Sequence, residues 1–153
     1  MEMIASTTGR VPKSTSDCAN KHIEEMTEKN VLCTAAGGSE AVQRRIEELD
    51  REWDVERALE ANAAIAAMLG VFLGATVNRK WFAFPALVGG FLLQHAVQGW
   101  CPPVPVLRWL GFRTQPEIER ERYALKALRG DFRDLPAAEN RSAAMEAIKA
   151  AKR

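Results

Sequence analysis

The sequence contains few of the residues that build disulfide, metal or nucleophilic sites. Its 153 residues include 3 cysteines and 2 histidines. The cysteines, Cys18, Cys33 and Cys101, are odd in number and widely spaced, which excludes a disulfide framework and matches no zinc pattern. Cys18 and His22, with Cys33 further on, could supply three metal ligands, but their spacing also fits no standard metal site. We therefore predict no metal, no cofactor and no catalytic residues, and hence no enzyme.

The chain also lacks an excess of one charge. It has 21 Lys and Arg against 20 Asp and Glu, so nothing predicts a nucleic-acid partner. Its first residues, MEMIASTTGRVPKSTSDCAN, include no long apolar stretch of the kind that a signal peptide needs.

Two long segments of the chain contain no charged residues. Residues 61–77 and 81–107 contain no Asp, Glu, Lys or Arg, whereas a helix on the surface of a globular core carries charge on its wet face. Segments of about 19 and 20 residues, 59–77 and 81–100, reach across a bilayer core of ~30 Å. A buried hairpin in a soluble bundle is the alternative, but no third apolar helix could enclose it. The sequence predicts an all-α membrane protein, with a two-span antiparallel transmembrane helical hairpin over 59–112 and amphipathic flanking helices.

The flanking segments complete the predicted organisation. We expect a disordered or weakly helical tail over 1–39. An amphipathic helix over 40–58 should run directly into the first span, and an amphipathic interfacial helix should occupy 113–130 along the inner leaflet. A marginal helix or disorder is expected over 131–153. The first amphipathic helix has one apolar face, formed by Val42, Ile46, Leu49 and Trp53.

Basic residues predict the orientation. Several arginines flank the two spans, whereas the turn between the spans has only Arg79 and Lys80. The more basic side favours the cytoplasm, so both termini should be cytoplasmic in a bacterial inner membrane. Trp81 would then mark the outer interface, and Trp100 and Trp109 the inner one.

Small residues repeat every four positions on both spans, which allows helices to approach closely. On the first span these are Ala66, Gly70 and Gly74, and on the second Ala86 and Gly90. The pattern predicts packing within the hairpin, and a homo-oligomer through one of these faces is the further hypothesis.

Polar residues gather near the cytoplasmic end of the two spans. If the turn is centred on Arg79, residue n lies roughly opposite residue 158 − n. The polar set would then lie at one depth, where its members could satisfy one another or form a substrate or proton site. The set consists of Glu60, Asn62, Gln94, His95 and Gln98.

Cys101 follows the second span directly. Pro102, Pro103 and Pro105 prevent the helix from continuing. A helix C-terminus and apolar neighbours both disfavour a thiolate, so we expect a raised pKa and a packed, neutral thiol. Arg108 is the first cation that could act in the opposite direction.

The stretch EWDVERALEANAA and the segment GWCPPVPVLRWLGFRTQPEIERERYALKALRGDF resemble the YgaP-like transmembrane-domain family, over roughly residues 50–132. The resemblance implies a small inner-membrane protein with a Cys-Pro turn that forms an oligomer. Some members carry a rhodanese domain before the hairpin, but residues 1–49 are too few for one, so sulfurtransferase activity is not implied. The motif residues are Gly99, Trp100, Cys101, Pro102, Leu110 and Gly111.

Three functions remain open at this point. The first is a non-enzymatic hairpin that scaffolds itself or a partner in the lipid bilayer. The second is an accessory to sulfur metabolism, in which Cys101 accepts persulfide from a cytoplasmic sulfurtransferase. The third is a subunit of a small oligomeric pore or transporter. We favour the first, because it requires neither an accessible thiol nor an oligomeric pathway.

Overall fold

The structure is a computed structural model that describes residues 8–133 and 141–151. Over these residues it is all-helical, as predicted, with eight α-helices and one 3₁₀ helix, Arg79–Phe82. The α-helices are α1 Arg10–Lys13, α2 Asp17–Ala36, α3 Gly38–Leu49, α4 Val55–Thr76, α5 Ala83–Gln98, α6 Val104–Trp109, α7 Gln115–Arg129 and α8 Arg141–Ala151.

The chain divides into two compact units. Unit 1 comprises Met1–Glu25 and Trp53–Pro116, and unit 2 comprises Met26–Glu52 and Glu117–Arg153. Each unit has its own cluster of buried apolar side chains.

The N-terminal segment differs from the prediction of a disordered or weakly helical tail. From residue 10 onward it is largely helical, and α2 is 20 residues long. Val11 and Ile23 are buried almost completely. Burial of these apolar side chains stabilises helices that are too polar or too short to persist alone. Residues 1–7 of the predicted tail lie outside the described residues.

One helix in the described part of the chain, α4, is long and apolar enough to cross a membrane. Only 28% of its apolar window is buried, which distinguishes it from the core helix of a soluble protein. The prediction that the preceding amphipathic helix continues into this span is wrong. Asp54 has extended backbone dihedrals, and its side chain accepts a 2.6 Å hydrogen bond from the Arg57 amide. This N-cap begins a new helix at Val55, because a capping residue cannot itself be helical.

The second predicted span, 81–100, contains a shorter helix than expected. α5 has 16 residues, which is about 24 Å at 1.5 Å per residue and less than the ~30 Å bilayer core. The residues directly before α5 form the 3₁₀ helix Arg79–Phe82. At its other end, α5 stops at Gly99, which has a left-handed φ of 79°.

α4 packs against α5 and against the 3₁₀ helix. Its register differs from the predicted one. The predicted pairing of residue n with residue 158 − n places Gly70 opposite Val88 and Gly74 opposite Phe84. In the structure Gly70 lies against Pro85, and Gly74 lies against Phe82. The chain reverses earlier than predicted, because the 3₁₀ helix already packs on α4.

The small residues of the two helices have different surroundings. A Cβ on Gly70 would lie 2.6 Å from Pro85 Cδ, and one on Gly74 would lie 2.9 Å from Phe82 Cδ1. Ala66 is half-buried. By contrast, Ala86 is exposed, and a Cβ on Gly90 would meet nothing within 4 Å. Gly70 therefore serves the contact of α4 with α5, and Gly74 serves its contact with the 3₁₀ helix. The small-residue face of α5 is open.

In unit 2, α3 packs its apolar face against α7. Val42, Ile46 and Leu49 of α3 are buried, as the periodicity predicts, with Ile118 and Leu125 of α7 in the same cluster. Trp53, the fourth predicted member, lies beyond the end of α3 and is exposed. α3 thus covers Ile118 and Leu125 of α7, and the position of α7 along the inner leaflet stays a prediction.

A buried ion pair joins the same two helices. Glu121 of α7 is fully buried and accepts a 2.7 Å hydrogen bond from Arg45 Nε. α7 ends at Arg129 and is followed by Gly130 with φ of 94°, where the sequence predicts the stop. α8 lies within the predicted C-terminal tail, whose residues 134–140 and 152–153 are outside the described ranges.

The glycine contacts lead to a stability prediction. Gly70→Ala should destabilise unit 1 by about 1–3 kcal/mol, because the new methyl group would overlap the rigid Pro85 ring. Gly89→Ala is the matched control, since a Cβ on Gly89 would meet nothing within 4 Å. It should be neutral or stabilising by up to about 1 kcal/mol, because alanine favours a helix where space is open. Thermal unfolding in detergent, followed by circular dichroism, measures both, and equal destabilisation would contradict the contact.

Candidate functional site

The candidate site is the turn that follows α5 in unit 1. The Gly99 amide donates to the His95 carbonyl at 2.8 Å and closes α5. The chain then passes through Trp100 and Cys101 to two prolines, and the Cys101 carbonyl accepts a 2.9 Å bond from the Val104 amide. α6 begins there. Gly99 ends α5, and the prolines, which lack an amide hydrogen, prevent the helix from resuming before α6.

Gly99 is needed at the turn for two separate reasons. Its left-handed φ favours glycine. In addition, a Cβ at this position would lie 2.5 Å from the backbone carbon and oxygen of Arg10. The N-terminal segment therefore touches the backbone of the motif directly. This contact was not predicted from the sequence.

Cys101 is buried, with only 4% of its surface exposed. Burial raises the pKa of its thiol, in the direction that the sequence predicts. Arg108, the cation that could have opposed this shift, donates to Asn20 Oδ1 at 2.9 Å and to the Phe112 carbonyl at 3.2 Å. Cys101 shares its apolar cluster with Val11, Val55, Ala58, Leu59, Val104 and Leu107.

Cys101 lines one side of an apolar cavity of about 550 Å³. This volume falls in the range of small-molecule pockets, ~300–1,000 Å³. Asn62 also lines it, but its side-chain amide donates to the carbonyl of Ala58 at 2.8 Å. The remaining lining includes Leu59, Ala63, Phe91, Leu92 and Pro102. The cavity therefore suits an apolar occupant.

The predicted polar set does not come together as a network. Within the described residues, no hydrogen bond joins two of its members. Glu60, Asn62 and Gln98 are exposed, and Gln94 is half-buried. His95 is buried, and neither ring nitrogen has a hydrogen-bond partner among the described residues.

The altered register changes which charges act on His95. Glu60 and Arg10 both lie within electrostatic range of the ring, with the Gly99 backbone close by. Arg10 also forms a 3.7 Å ion pair with Glu56. The sequence predicted Asn62 and Ala63 as the neighbours of His95, whereas Glu60 and an arginine from the N-terminal segment act on its ring.

The end of the motif region closes back on the start of α4. Leu110 is exposed, and Gly111 has a φ of 90°. After this second left-handed glycine, the Arg113 carbonyl accepts a 2.8 Å hydrogen bond from the Val55 amide. That bond satisfies one of the amides that the first turn of a helix leaves open.

The described residues contain no group of three or more His, Cys, Asp or Glu side chains placed to hold a metal ion. Cys18 and His22 do line a second cavity of unit 1, of about 840 Å³, together with Trp109. Both Cys18 and Cys33 are exposed.

Comparison with known families identifies the domain that contains this turn. Residues 54–117 match the family model described as inner membrane protein YgaP-like, transmembrane domain. This segment is a YgaP-like transmembrane domain. The resemblance seen in the sequence is thereby confirmed, over a narrower range than the predicted 50–132. No curated protein and no solved structure matches the chain.

The YgaP-like domain matches the geometry at both ends. It begins at Asp54, the residue that caps α4, and ends at Glu117, in the first turn of α7. It includes α4, α5, the Cys101 turn and α6. An Asp before an apolar run is a recognised sign of a helix start, so Asp54 could have been predicted as a cap. The contact between Arg10 and Gly99, in contrast, had no signal in the sequence.

The buried thiol generates a labelling prediction. Maleimide should modify exposed Cys18 at least about tenfold faster than Cys101 at neutral pH, because the buried thiol is both shielded and held neutral. Since the Cys101 pKa is raised, its thiolate fraction and its labelling rate should keep rising with pH above 8. Mass analysis of the labelled peptides would measure both rates. A Cys101 that reacts first would show that its thiolate is stabilised.

Proposed function

We propose that this protein is a non-enzymatic anchor that holds itself or a partner at the bacterial inner membrane through a two-span hairpin. The observation that carries the proposal is the exposure of large apolar side chains on α4 and α5. Such a surface is costly in water and favourable in lipid. The exposed side chains include Ile65, Met68, Leu69, Phe72, Leu87 and Leu93.

The second span requires residues outside α5. The apolar sequence continues at both ends, with Trp81 and Phe82 in the 3₁₀ helix and Trp100 after Gly99. Trp81 and Phe82, the apolar residues of the 3₁₀ helix, add about 2 Å each, which brings the apolar length to about 28 Å, near the ~30 Å of a bilayer core. Exposed Trp81 and Trp100 then suit the two interfaces, where indole rings are enriched.

The turn that connects the two helices carries Arg79 and Lys80, whereas the outer flanks carry more arginines. We therefore place the turn on the outer side and both termini in the cytoplasm. The Asn78 side chain accepts a 2.9 Å hydrogen bond from the Lys80 amide and stabilises this short reversal.

The open face of α5 supports self-association. Ala86 and Gly90 lie four residues apart on one helix face, and the space above Gly90 is empty. Helices in lipid approach closely where side chains are small. The glycines of α4 are already covered by Pro85 and Phe82, so we assign the contact between copies to α5.

The two alternatives receive less support from the geometry. A persulfide-accepting Cys101 needs an accessible thiolate, whereas this thiol is buried and its pKa is raised. A pore needs a polar path through several copies. His95 is the one buried member of the polar set, and it lies near one end of the helix pair.

Topology is tested by cysteine accessibility. Arg79→Cys in a background with Cys18, Cys33 and Cys101 replaced by Ser should react with a membrane-impermeant maleimide applied to the outer face of spheroplasts. A matched variant that retains only the native Cys18 should react only after permeabilisation. The physical reason is that α4, by crossing the membrane, places the turn and the N-terminal segment on opposite sides.

Two results would contradict the proposal. Extraction of the protein by a carbonate wash would exclude insertion. The second result concerns the number of spans. If α4 alone crosses the membrane, the turn and the residues after α5 both lie on the outer side. A second probe, Pro136→Cys in the same background, would then react from the outer face together with Arg79→Cys.

Self-association is tested by substitution on α5. Gly90→Leu should reduce crosslinked dimer in detergent several-fold, because the side chain would hold two copies apart. Ala64→Leu, on an exposed position of α4, is the matched control and should leave the yield unchanged. Equal yields from both variants would exclude the α5 face as the contact.

A further inference from the structure

The N-terminal segment of unit 1 reaches the motif turn from outside the YgaP-like domain. We define residues 9–20 as the latch. Its Arg10 backbone lies against Gly99, and its Ser14 Oγ donates to the Gln98 carbonyl at 3.1 Å. The latch therefore contacts the last residue of α5 and the residue that ends it.

The latch also engages the two helices on either side of α5. Arg10 pairs with Glu56 in the first turn of α4 at 3.7 Å. At its other end, Asn20 accepts a 2.9 Å hydrogen bond from Arg108 of α6 and donates one of 2.9 Å to the Pro12 carbonyl. One short segment thus joins the elements that surround the turn.

Val11 connects the latch to the buried thiol. Only 1% of its surface is exposed, and it belongs to the same apolar cluster as Cys101, Val55 and Val104. No other latch residue is buried to this extent. Withdrawal of Val11 would open this cluster on the side from which the latch approaches.

The contacts that hold the first residues of the latch on the turn are individually weak. α1 has four residues and cannot persist as an isolated helix. The Ser14 hydrogen bond is exposed to solvent, and the Arg10–Glu56 pair is only partly buried, so both contribute little to stability. The bond from buried Arg108 to Asn20 holds the far end of the latch. Docking of the residues that cover the turn therefore depends mainly on Val11 and on close packing over Gly99.

We propose that the latch is a reversible cover on the Gly99–Pro102 turn, and that its undocking opens the turn and the Cys101 thiol to water. The docked and undocked forms are then two states of unit 1 whose populations any binder of the N-terminal segment can shift. This device is independent of the anchor function, because it concerns accessibility within unit 1 and not insertion.

The first test uses Cys101 as a native reporter in a Cys18→Ser, Cys33→Ser background. Val11→Asp should speed its labelling by a charged maleimide at least about tenfold in detergent, because a carboxylate cannot remain in the apolar cluster. Lys13→Asp is the matched control. Lys13 is exposed in the same helix, so its substitution should leave the rate within about twofold of the parent.

The second test separates undocking from general loosening. Gly99 and Gly111 have similar left-handed φ values, 79° and 90°, but only a Cβ on Gly99 would collide with Arg10. Gly99→Ala should therefore accelerate Cys101 labelling severalfold more than Gly111→Ala, although both substitutions strain the backbone.

Each outcome decides the proposal. Faster labelling in Val11→Asp and Gly99→Ala alone, with helical circular dichroism retained, supports a latch. Equal rates in Val11→Asp and Lys13→Asp would overturn it, as would equal rates in the two glycine variants. A loss of helical signal in Val11→Asp transfers the decision to the glycine pair. A failure of membrane insertion, in contrast, would appear in the carbonate wash and would not alter these rate ratios.

Discussion

Unit 1 depends on the close approach of two backbones at Gly99. A left-handed residue ends α5 and turns the chain toward Cys101, and the absence of a side chain admits the Arg10 backbone on the other side. Any Cβ would oppose both features, because the same atom would strain the turn and displace the N-terminal segment. The same contact brings Val11, the residue after Arg10, into the apolar cluster of Cys101.

A second close approach, between α4 and α5, determines the direction of the apolar surface. Gly70 lies against Pro85 of α5, and Gly74 lies against Phe82 of the 3₁₀ helix that precedes α5. The small residues of α4 are thus directed inward, and large apolar residues such as Met68 and Leu93 are directed outward. A soluble protein places its large apolar residues inside. The inverted arrangement is the physical basis for proposing a membrane anchor.

The buried polar groups show how polar side chains are accommodated in the two units. In unit 2, buried Glu121 is stabilised by Arg45, and Asn30 lies 3.5 Å from its other oxygen. Breaking such a buried pair is costly, since it leaves an uncompensated charge. In unit 1, Arg108 is fully buried and is held by Asn20 of the N-terminal segment. Buried polar groups in each unit thus depend on residues distant in sequence.

Much of the local structure could be predicted from the residues themselves. The charge-free runs marked α4 and α5, the prolines after Cys101 marked the end of α5, and Gly130 marked the end of α7. These signals are local, because a proline lacks an amide hydrogen and a glycine tolerates left-handed dihedrals wherever they occur. The helix break at Asp54 was also encoded locally, but the uninterrupted helix-forming sequence around it led to the wrong prediction.

The sequence by itself determined the all-helical class, the apolar segments and the motif that places residues 54–117 in a family. Only the tertiary structure decided that the N-terminal segment packs on Gly99, that α4 and α5 meet two to three residues out of the predicted register, and that His95 is buried without a partner among the described residues. These features depend on contacts between residues up to about ninety positions apart. Periodicity and spacing report only on neighbours along one helix, so they could not have revealed which distant side chain fills a given space.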